Sequence, residues 1–411
     1  MGNLIVGQSG GPTAVINASL YGVIMQAFEE TSIEHVYGMP NGIEGFLKGR
    51  YVDMSALSTE ELQLLRTTPG AFLGSCRYKL PENPEDRVYT QIFDAFHKLD
   101  IEYFLYIGGN DSMDTVSKLS RYAKNICSPV KIAGIPKTID NDLVLTDHTP
   151  GFGSAAKYVA SIVREISRDS SVYDTDSVTI IEIMGRHAGW LTGAAALARQ
   201  FRDDNPVLIY LPESSFNEDT FLNSIREKLA HRRNLIVCVS EGIHDSSGNF
   251  VCEHQDRMQT DNFGHKILTG CGKYLEQLVR SKLGVKVRSV ELNVTQRCAA
   301  SYLSETDVIE AEAAGRFGVT QTVKGQTGFM CSFVRGSHEP YEISLRAVDV
   351  NEVCNLEKKV PREWICGDGC DVTDDLTDYI RPLIHGEPVL PKKDGLTCYC
   401  SLDKDSILHY D

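Results

Sequence analysis

Short apolar runs punctuate the chain, and each opens into a loop of glycines or polar residues. "NLIV" leads into "GQSGGPT", "YFLYI" into "GGNDS", "VKIAGI" into "PKTIDND", "VTIIEI" into "MGRHAGW" and "LIVCVS" into "EG". Runs of about four to six residues without polar alternation suit strands buried on both faces of a parallel sheet. Between them the period changes. In "FGSAAKYVASIVREISRD", Phe152, Ala155, Val159, Ile162 and Ile166 recur at helical spacing, while Lys157 and Arg164 fall elsewhere. The alternation predicts βαβ units and an α/β, doubly wound fold.

With 411 residues, 42% of them hydrophobic, the chain can fill more than one core. Two doubly wound lobes with mainly parallel sheets are therefore expected. In such sheets ligands bind beyond the carboxyl ends of the strands, and every polar loop quoted above falls there in sequence. The loops are expected to share one cleft. The last ninety or so residues, with the Pro- and Gly-bearing "GEPVLPKKDG", read as a peripheral C-terminal extension packed on the lobes.

No apolar run approaches the roughly 20 residues of a membrane helix, and the opening residues read as strand and loop, not as a signal peptide. A cytoplasmic protein with no membrane partner is expected. The net charge of -15 argues against nucleic acid, so an anionic substrate must be held by local cations. The twelve cysteines include no CxxC and read mostly as buried thiols. Cys366, Cys370, Cys398 and Cys400 could form a metal or disulfide site, but plain packing is the preferred reading and no metal is assigned there.

Chemistry concentrates in the loops. There is neither a G-x-x-x-x-G-K-[ST] nor a G-x-G-x-x-G pattern. Gly10 and Gly11 follow a strand and precede the helix-like "AVINASLYGVIMQAF", so amides and a helix dipole could hold phosphate there; a tight turn fits equally well. "PKTIDND" gathers Lys137, Thr138, Asp140 and Asp142, supplying a cation, a hydroxyl and two carboxylates for proton abstraction and for orienting a polyphosphate. A turn role suits Asp142 alone, but is strained for the whole set. Arg77 in "FLGSCR" and Arg186 in "MGR" suit bidentate phosphate binding, or surface ion pairs. Glu241 in "SEG" suits a sugar-hydroxyl acceptor or a helix-start charge. "VRSVELNVTQR" adds Arg288 and Arg297, whereas His187 is read as structural. "YIGGNDSM" sets Asp111 where a glycine pair would usually admit phosphate.

In order and interval, "SGG", "GGNDS", "PKTIDND", "MGR", "SEG" and the "QR" of Gln296 and Arg297 resemble the phosphofructokinases over nearly the whole chain. The late "VPREWI…DYIRPLIHGE" is similar to the pyrophosphate-using members. The resemblance implies a cytoplasmic, Mg2+-dependent, reversible phosphoryl transfer from pyrophosphate to the 1-hydroxyl of fructose 6-phosphate. It implies Asp140 as base, with Thr138 and Lys137 at the transferring group. Gly10, Gly11, Arg77, Gly109, Asn110 and Ser112 would face the donor. Thr138, Ile139, Asp140, Met184, Gly185, Arg186, Glu241 and Arg297 would hold the sugar phosphate, joined by Arg288 of a neighbouring subunit in a homodimer or homotetramer. Asn110, Asp111 and Asp142 would serve the metal. On this reading residues 1–150 form the donor lobe, completed by later segments, 151–300 the sugar-phosphate lobe, and 301–411 returning segments and the extension.

ATP users of the family have glycine at the positions of Asp111 and Lys137. A carboxylate at Asp111 would repel the α-phosphate of ATP by on the order of several kcal/mol in a partly dry cleft, leaving room for pyrophosphate. Lys137 would favour that smaller donor. Ser177 and Val294 replace an Arg and a His or Tyr that usually touch the sugar phosphate, which opens the acceptor site to sugars such as sedoheptulose 7-phosphate. An ATP-dependent enzyme and a non-catalytic sugar-phosphate sensor are the alternatives, and the retained base speaks against the sensor.

Overall fold

Residues 2–201, 203–254 and 270–410 are described by a computed structural model of the chain. "NLIV" lies in β1 (Gly2–Gln8), which is buried along its whole length because it has parallel neighbours on both sides. These are β2 (Ile33–Met39), followed by antiparallel β3 (Arg50–Asp53), and β4 (Ile101–Gly108), followed by parallel β5 (Lys131–Pro136). A second sheet holds β6 (Ser177–Ile183), β7 (Leu208–Tyr210), β8 (Asn234–Ser240) and β9 (Lys286–Glu291), all parallel, in the order β7-β8-β6-β9. The molecule is thus an α/β protein with two mainly parallel sheets.

The first sheet regains the chain late. β10 (Phe329–His338) pairs in parallel with β5, and β11 (Tyr341–Asp349) pairs antiparallel with β10. The short strand Ile407–His409 closes the far edge beside β3. The late part of the chain thus supplies strands at both edges of the first sheet. β11 was hard to see because its side chains alternate between half-buried and exposed, so it lacks the apolar run that marks a central strand.

Helices cover the sheets. In the helix Phe152–Ser170, Phe152, Ala155 and Val159 are buried, and Ile162 and Ile166 pack against the same core as Trp190 and Leu376. Burying a side chain such as Phe152 stabilises the fold by roughly 1.5–3 kcal/mol. The helices Ile16–Glu29 and Glu305–Val323 cross backbone to backbone. A Cβ on Gly22 would lie 2.1 Å from the carbonyl oxygen of Glu312, and one on Gly315 2.2 Å from that of Ser19. No helix among the described residues is long and apolar enough to cross a membrane. All twelve cysteines are free thiols, and Cys76, Cys238, Cys252, Cys271, Cys331 and Cys400 are buried.

Candidate active site

Loops beyond the carboxyl ends of β1, β4 and β5 in one sheet, and of β6 and β8 in the other, wall a cleft of about 700 Å3. The β1 loop is locked from below. Gln8 Nε2 donates to Asn17 Oδ1 at 2.9 Å, and Asn17 Nδ2 donates to the carbonyls of Thr68 and Gly70 at 2.9 and 2.6 Å. The N–H of Leu73 returns to Gln8 Oε1 at 2.9 Å. These buried amides fasten the segment carrying Arg77 to the glycine turn, and Ser75 Oγ completes the join by donating to Gly10 O at 2.6 Å.

A positive φ favours glycine at the first position of that turn, and cations lie close over both glycines. Gly10 has φ +78°, and a Cβ there would stand 3.3 Å from Lys137 Nζ. A Cβ on Gly11 would stand 3.0 Å from Arg297 Nη1. Lys137, buried at the end of β5, donates to Gly11 O at 2.7 Å. Burial pushes its ammonium down to about 8, against the pull of Asp140 and Asp142, and Arg297 and Arg77 push it the same way as burial. Cations from three separate segments thus converge on one turn. Nε of Arg297 is buried with no hydrogen-bond partner among the described residues, as a guanidinium awaiting an anion would be.

Opposite the cations lie the carboxylates. Asp140 is raised by burial, while the hydroxyl of Thr138, donating at 3.3 Å, and the charges of Lys137, Arg297 and Arg186 hold it down. Asp142 is pushed up to about 7 by burial and then by Asp140. Glu241 is pushed up to about 8, by burial and then by Asp140, and accepts from the N–H of Gly185 at 3.4 Å. The N–H of Met184 donates to Gln296 Oε1 at 3.2 Å, which ties the end of β6 to the helical turn bearing Arg297. A recessed carboxylate with a raised pKa, facing a cluster of cations, can accept a proton from a substrate hydroxyl whose phosphates those cations hold.

Asp111 occupies the first turn of the helix Asn110–Asn125, where free amides and the helix dipole attract an anion, so the protein supplies its own. Its carboxylate lies 3.5 Å from Lys79 Nζ. Asn110 is engaged elsewhere: its Nδ2 donates to Leu356 O at 2.7 Å and its Oδ1 accepts from the N–H of Asn355 at 2.6 Å. Among the described residues no group of three or more His, Cys, Asp or Glu side chains is placed to hold a metal. The Asp140 and Asp142 pair, whose mutual repulsion and burial a cation would relieve, suits Mg2+, which is often held by one or two carboxylates plus substrate phosphates.

Of the residues singled out from the sequence, Gly10, Gly11, Arg77, Gly109, Asn110, Asp111, Ser112, Lys137, Thr138, Ile139, Asp140, Asp142, Met184, Arg186, Glu241 and Arg297 line the cleft. Gly185 stands behind it. Arg288 does not reach it: half exposed on β9, it lies 3.4 Å from Asp169. Sequence reasoning missed Tyr78, Lys79 and the segment Asn355, Leu356 and Glu357, which also line the cleft. His187 is there too, with Nδ1 3.2 Å from Glu357. In the sequence "CNLEKKVP" carries no signal that separates it from an ordinary solvated loop.

Two parallel α/β lobes closing a polar cleft, with buried carboxylates opposed to cations suited to phosphate, fit a phosphoryl-transfer class of protein. The phosphofructokinase family profile matches residues 3–319, and the chain belongs to this family. It is 41% identical over 404 residues to a pyrophosphate–fructose 6-phosphate 1-phosphotransferase of Methylococcus capsulatus, covering 97% of this chain and 96% of the relative. A protein of the same description from Xanthomonas campestris is 42% identical, with 98% and 96% covered. The crystal structure of a pyrophosphate-dependent phosphofructokinase from Marinobacter aquaeolei superposes with a TM-score of 0.90 at 37% identity, covering 100% of this chain and 98% of that one.

Proposed function

We propose that this protein reversibly transfers a phosphoryl group from pyrophosphate to the 1-hydroxyl of fructose 6-phosphate, giving fructose 1,6-bisphosphate and phosphate. The observation that carries the proposal is the meeting of Lys137, Asp140 and the Gly10–Gly11 turn in one cleft, with Asp111 at its donor end. Gly10, Gly11, Arg77, Gly109 and Ser112 receive the diphosphate. Arg186, Arg297 and the backbone of Ile139, Met184 and Gly185 hold the sugar phosphate, with Glu241 on a sugar hydroxyl. Asp140 takes the proton from the 1-hydroxyl as that oxygen bonds to the near phosphorus and the bond from this phosphorus to the bridging oxygen breaks; the departing phosphate keeps the bridging oxygen and its electron pair, and Asp140 gives its proton to solvent. Lys137 and Thr138 stabilise the phosphoryl oxygens in flight. Asp142 is the carboxylate that would hold Mg2+ together with the donor's phosphates, and the ion would neutralise diphosphate charge.

Asp111 sets the donor, since its carboxylate stands where a longer polyphosphate would place another charge. Arg288, on the surface, is offered to the sugar phosphate of a neighbouring copy in a homodimer or homotetramer, and the enzyme works in the cytoplasm. Ser177, at the start of β6 with its Oγ donating to Asn234 Oδ1 at 2.7 Å, and Val294 lie outside the cleft of this copy and would bear on the acceptor only through the clamp between subunits. Purified protein assayed with Mg2+ and fructose 6-phosphate should form the bisphosphate with pyrophosphate at least about a hundredfold faster than with ATP at equal concentration, on the like-charge argument. Strong turnover with ATP and none with pyrophosphate would reverse the donor assignment.

A further inference from the structure

The segment 355–360 crosses the cleft as a strap. At one end it is held by the Asn110 amide through Asn355 and Leu356. At the other, the N–H of Val360 donates to Glu213 Oε1 at 2.9 Å, an oxygen that also accepts from the N–H of Gly189 at 2.9 Å. The first anchor stands at the end of β4 in one sheet, the second beside the end of β7 in the other. Lys358 sits midway. Its N–H donates to the carbonyl of Asp142 at 2.7 Å, and its own carbonyl accepts from Trp190 Nε1 at 3.0 Å.

The ammonium of Lys358 turns inward onto the same turn. It donates to Asp147 O at 2.6 Å, to Thr146 O at 3.3 Å and to Asn141 Oδ1 at 3.4 Å, and lies 5.0 Å from the Trp190 ring centre. Asn141 is the residue between the two carboxylates. It is fully buried at φ +54°, a left-handed conformation that Asn tolerates when its side chain is held locally. Its Oδ1 also accepts from the N–H of Thr149 at 3.1 Å, and its Nδ2 donates to Tyr379 Oη at 2.9 Å. Lys358 therefore contacts Asp142, Asn141, Thr146 and Asp147, and touches neither the predicted phosphate site nor the predicted sugar site. Its charge also opposes the burial that raises Asp142.

On the reading of Asp140 as the base, we propose that Lys358 is a positioning residue: seated by the strap, it holds the Asp140–Asp142 turn in the orientation that presents Asp140 to the substrate hydroxyl. A purely structural pin would change stability and leave the rate per folded molecule intact. A pin on the base turn must change the rate, because displacing a reacting group by about 1 Å costs on the order of a hundredfold.

The test uses the full-length protein with Lys358→Met, which keeps the stem and removes the donors, and Lys358→Arg, which restores them. Lys358→Met should lower kcat roughly 100-fold while the sugar-phosphate KM stays within about threefold, and Lys358→Arg should recover at least about tenfold of that loss. The chain has two tryptophans, and Trp190 is one of them, so the intrinsic emission should shift in Lys358→Met. Wild-type kcat in Lys358→Met, a loss confined to KM, or a rate loss matched by the fraction unfolded would overturn the proposal. Should that variant not fold, Lys358→Gln keeps a neutral amide donor on a shorter stem and is expected to lose about tenfold in kcat with Tm nearly unchanged; full rate would equally overturn it. The kcat and KM comparison is scored with whichever donor supports turnover, so a wrong donor assignment leaves it intact. Sugar-phosphate binding followed by tryptophan emission needs no donor at all.

Discussion

The ammonium of Lys137 donates to the carbonyl oxygen of Gly11 across 2.7 Å, so the end of β5 is tied to the turn that follows β1 by a cation and not by sheet pairing. The two strands are separated in the sheet by β4, and the contact spans 126 residues of chain.

That contact predicts a pH dependence. Burial holds Lys137 near 8 in the free protein, and only the ammonium can serve a diphosphate. The kcat/KM for pyrophosphate should therefore fall as pH rises through about 8, while below that value Lys137 adds no pH dependence. Lys137→Met should lower kcat/KM by about 10²- to 10³-fold, on the scale of losing one transition-state donor, and should remove its share of that alkaline limb, Lys358, which burial also lowers to about 8, supplying the rest. A pH–rate series on both proteins checks it; an identical limb in the variant assigns the titration to another group.

Asp140 predicts a different split between rate and binding. Asp140→Asn keeps the size of the side chain and its acceptor toward Thr138, but cannot take a proton at neutral pH. The expected outcome is a fall in kcat of roughly 10²- to 10⁴-fold with KM changed by less than about threefold. Steady-state kinetics decides this, together with sugar-phosphate binding by calorimetry. A variant that loses binding and had little activity to lose would move the chain toward a sensor role.

How far these contacts were legible in the sequence follows from their separation along the chain. The strand ends were legible because an apolar run and the polar loop after it are adjacent, and a parallel sheet brings such loops to one edge. Lys137, Asp140 and Asp142 were found because they share one loop. Asn355 and Leu356 were not, since their bonds to Asn110 span 245 and 246 residues and the loop that carries them has neither glycine nor an apolar pattern. Arg288, expected to serve a neighbouring subunit, lies exposed on β9.

Beyond the Asp140–Asp142 turn, His148 lies between two carboxylates, with Nε2 2.6 Å from Glu310 and Nδ1 2.9 Å from Asp147. Burial works against its charge, but Glu310 and Asp147 outweigh burial and raise it to about 9 from 6.5. Burial likewise opposes Asp147, yet His148 and Arg335 hold it at about 2. A raised histidine stabilises fully below its unfolded value and loses that contribution as pH rises through the folded one. The window is pH 6.5 to 9, and the loss is on the order of 3 kcal/mol. The depressed Asp147 acts in the opposite sense, stabilising above about 4 and losing that as pH falls toward 2. Thermal melts should show Tm declining from pH 6.5 to 9, and His148→Gln should flatten that decline. An unchanged slope would mean the histidine is not charged in the fold.

Donor choice is the sharpest consequence of the cleft. Asp111 sits at the N-terminus of the helix Asn110–Asn125, paired with Lys79 at 3.5 Å, in the position where the amides would otherwise accept a phosphate. Removing it uncovers those amides, and removing Lys137 takes away the charge that favours the short donor. Asp111→Gly with Lys137→Gly should shift the ratio of ATP to pyrophosphate turnover by about 10- to 10³-fold, since Asp111 is more than half exposed and like charges about 4 Å apart repel by roughly 1 kcal/mol in water and 4 kcal/mol near a protein surface. Asp111→Gly alone should admit ATP while keeping most pyrophosphate activity, whereas Lys137→Gly alone should cripple pyrophosphate use without helping ATP. Initial rates of the three variants with both donors at matched Mg2+ resolve the two effects. An unchanged ratio in the double variant would show that the gate lies in some other part of the cleft wall, with the strap at Asn355 and Leu356 the next segment to remove.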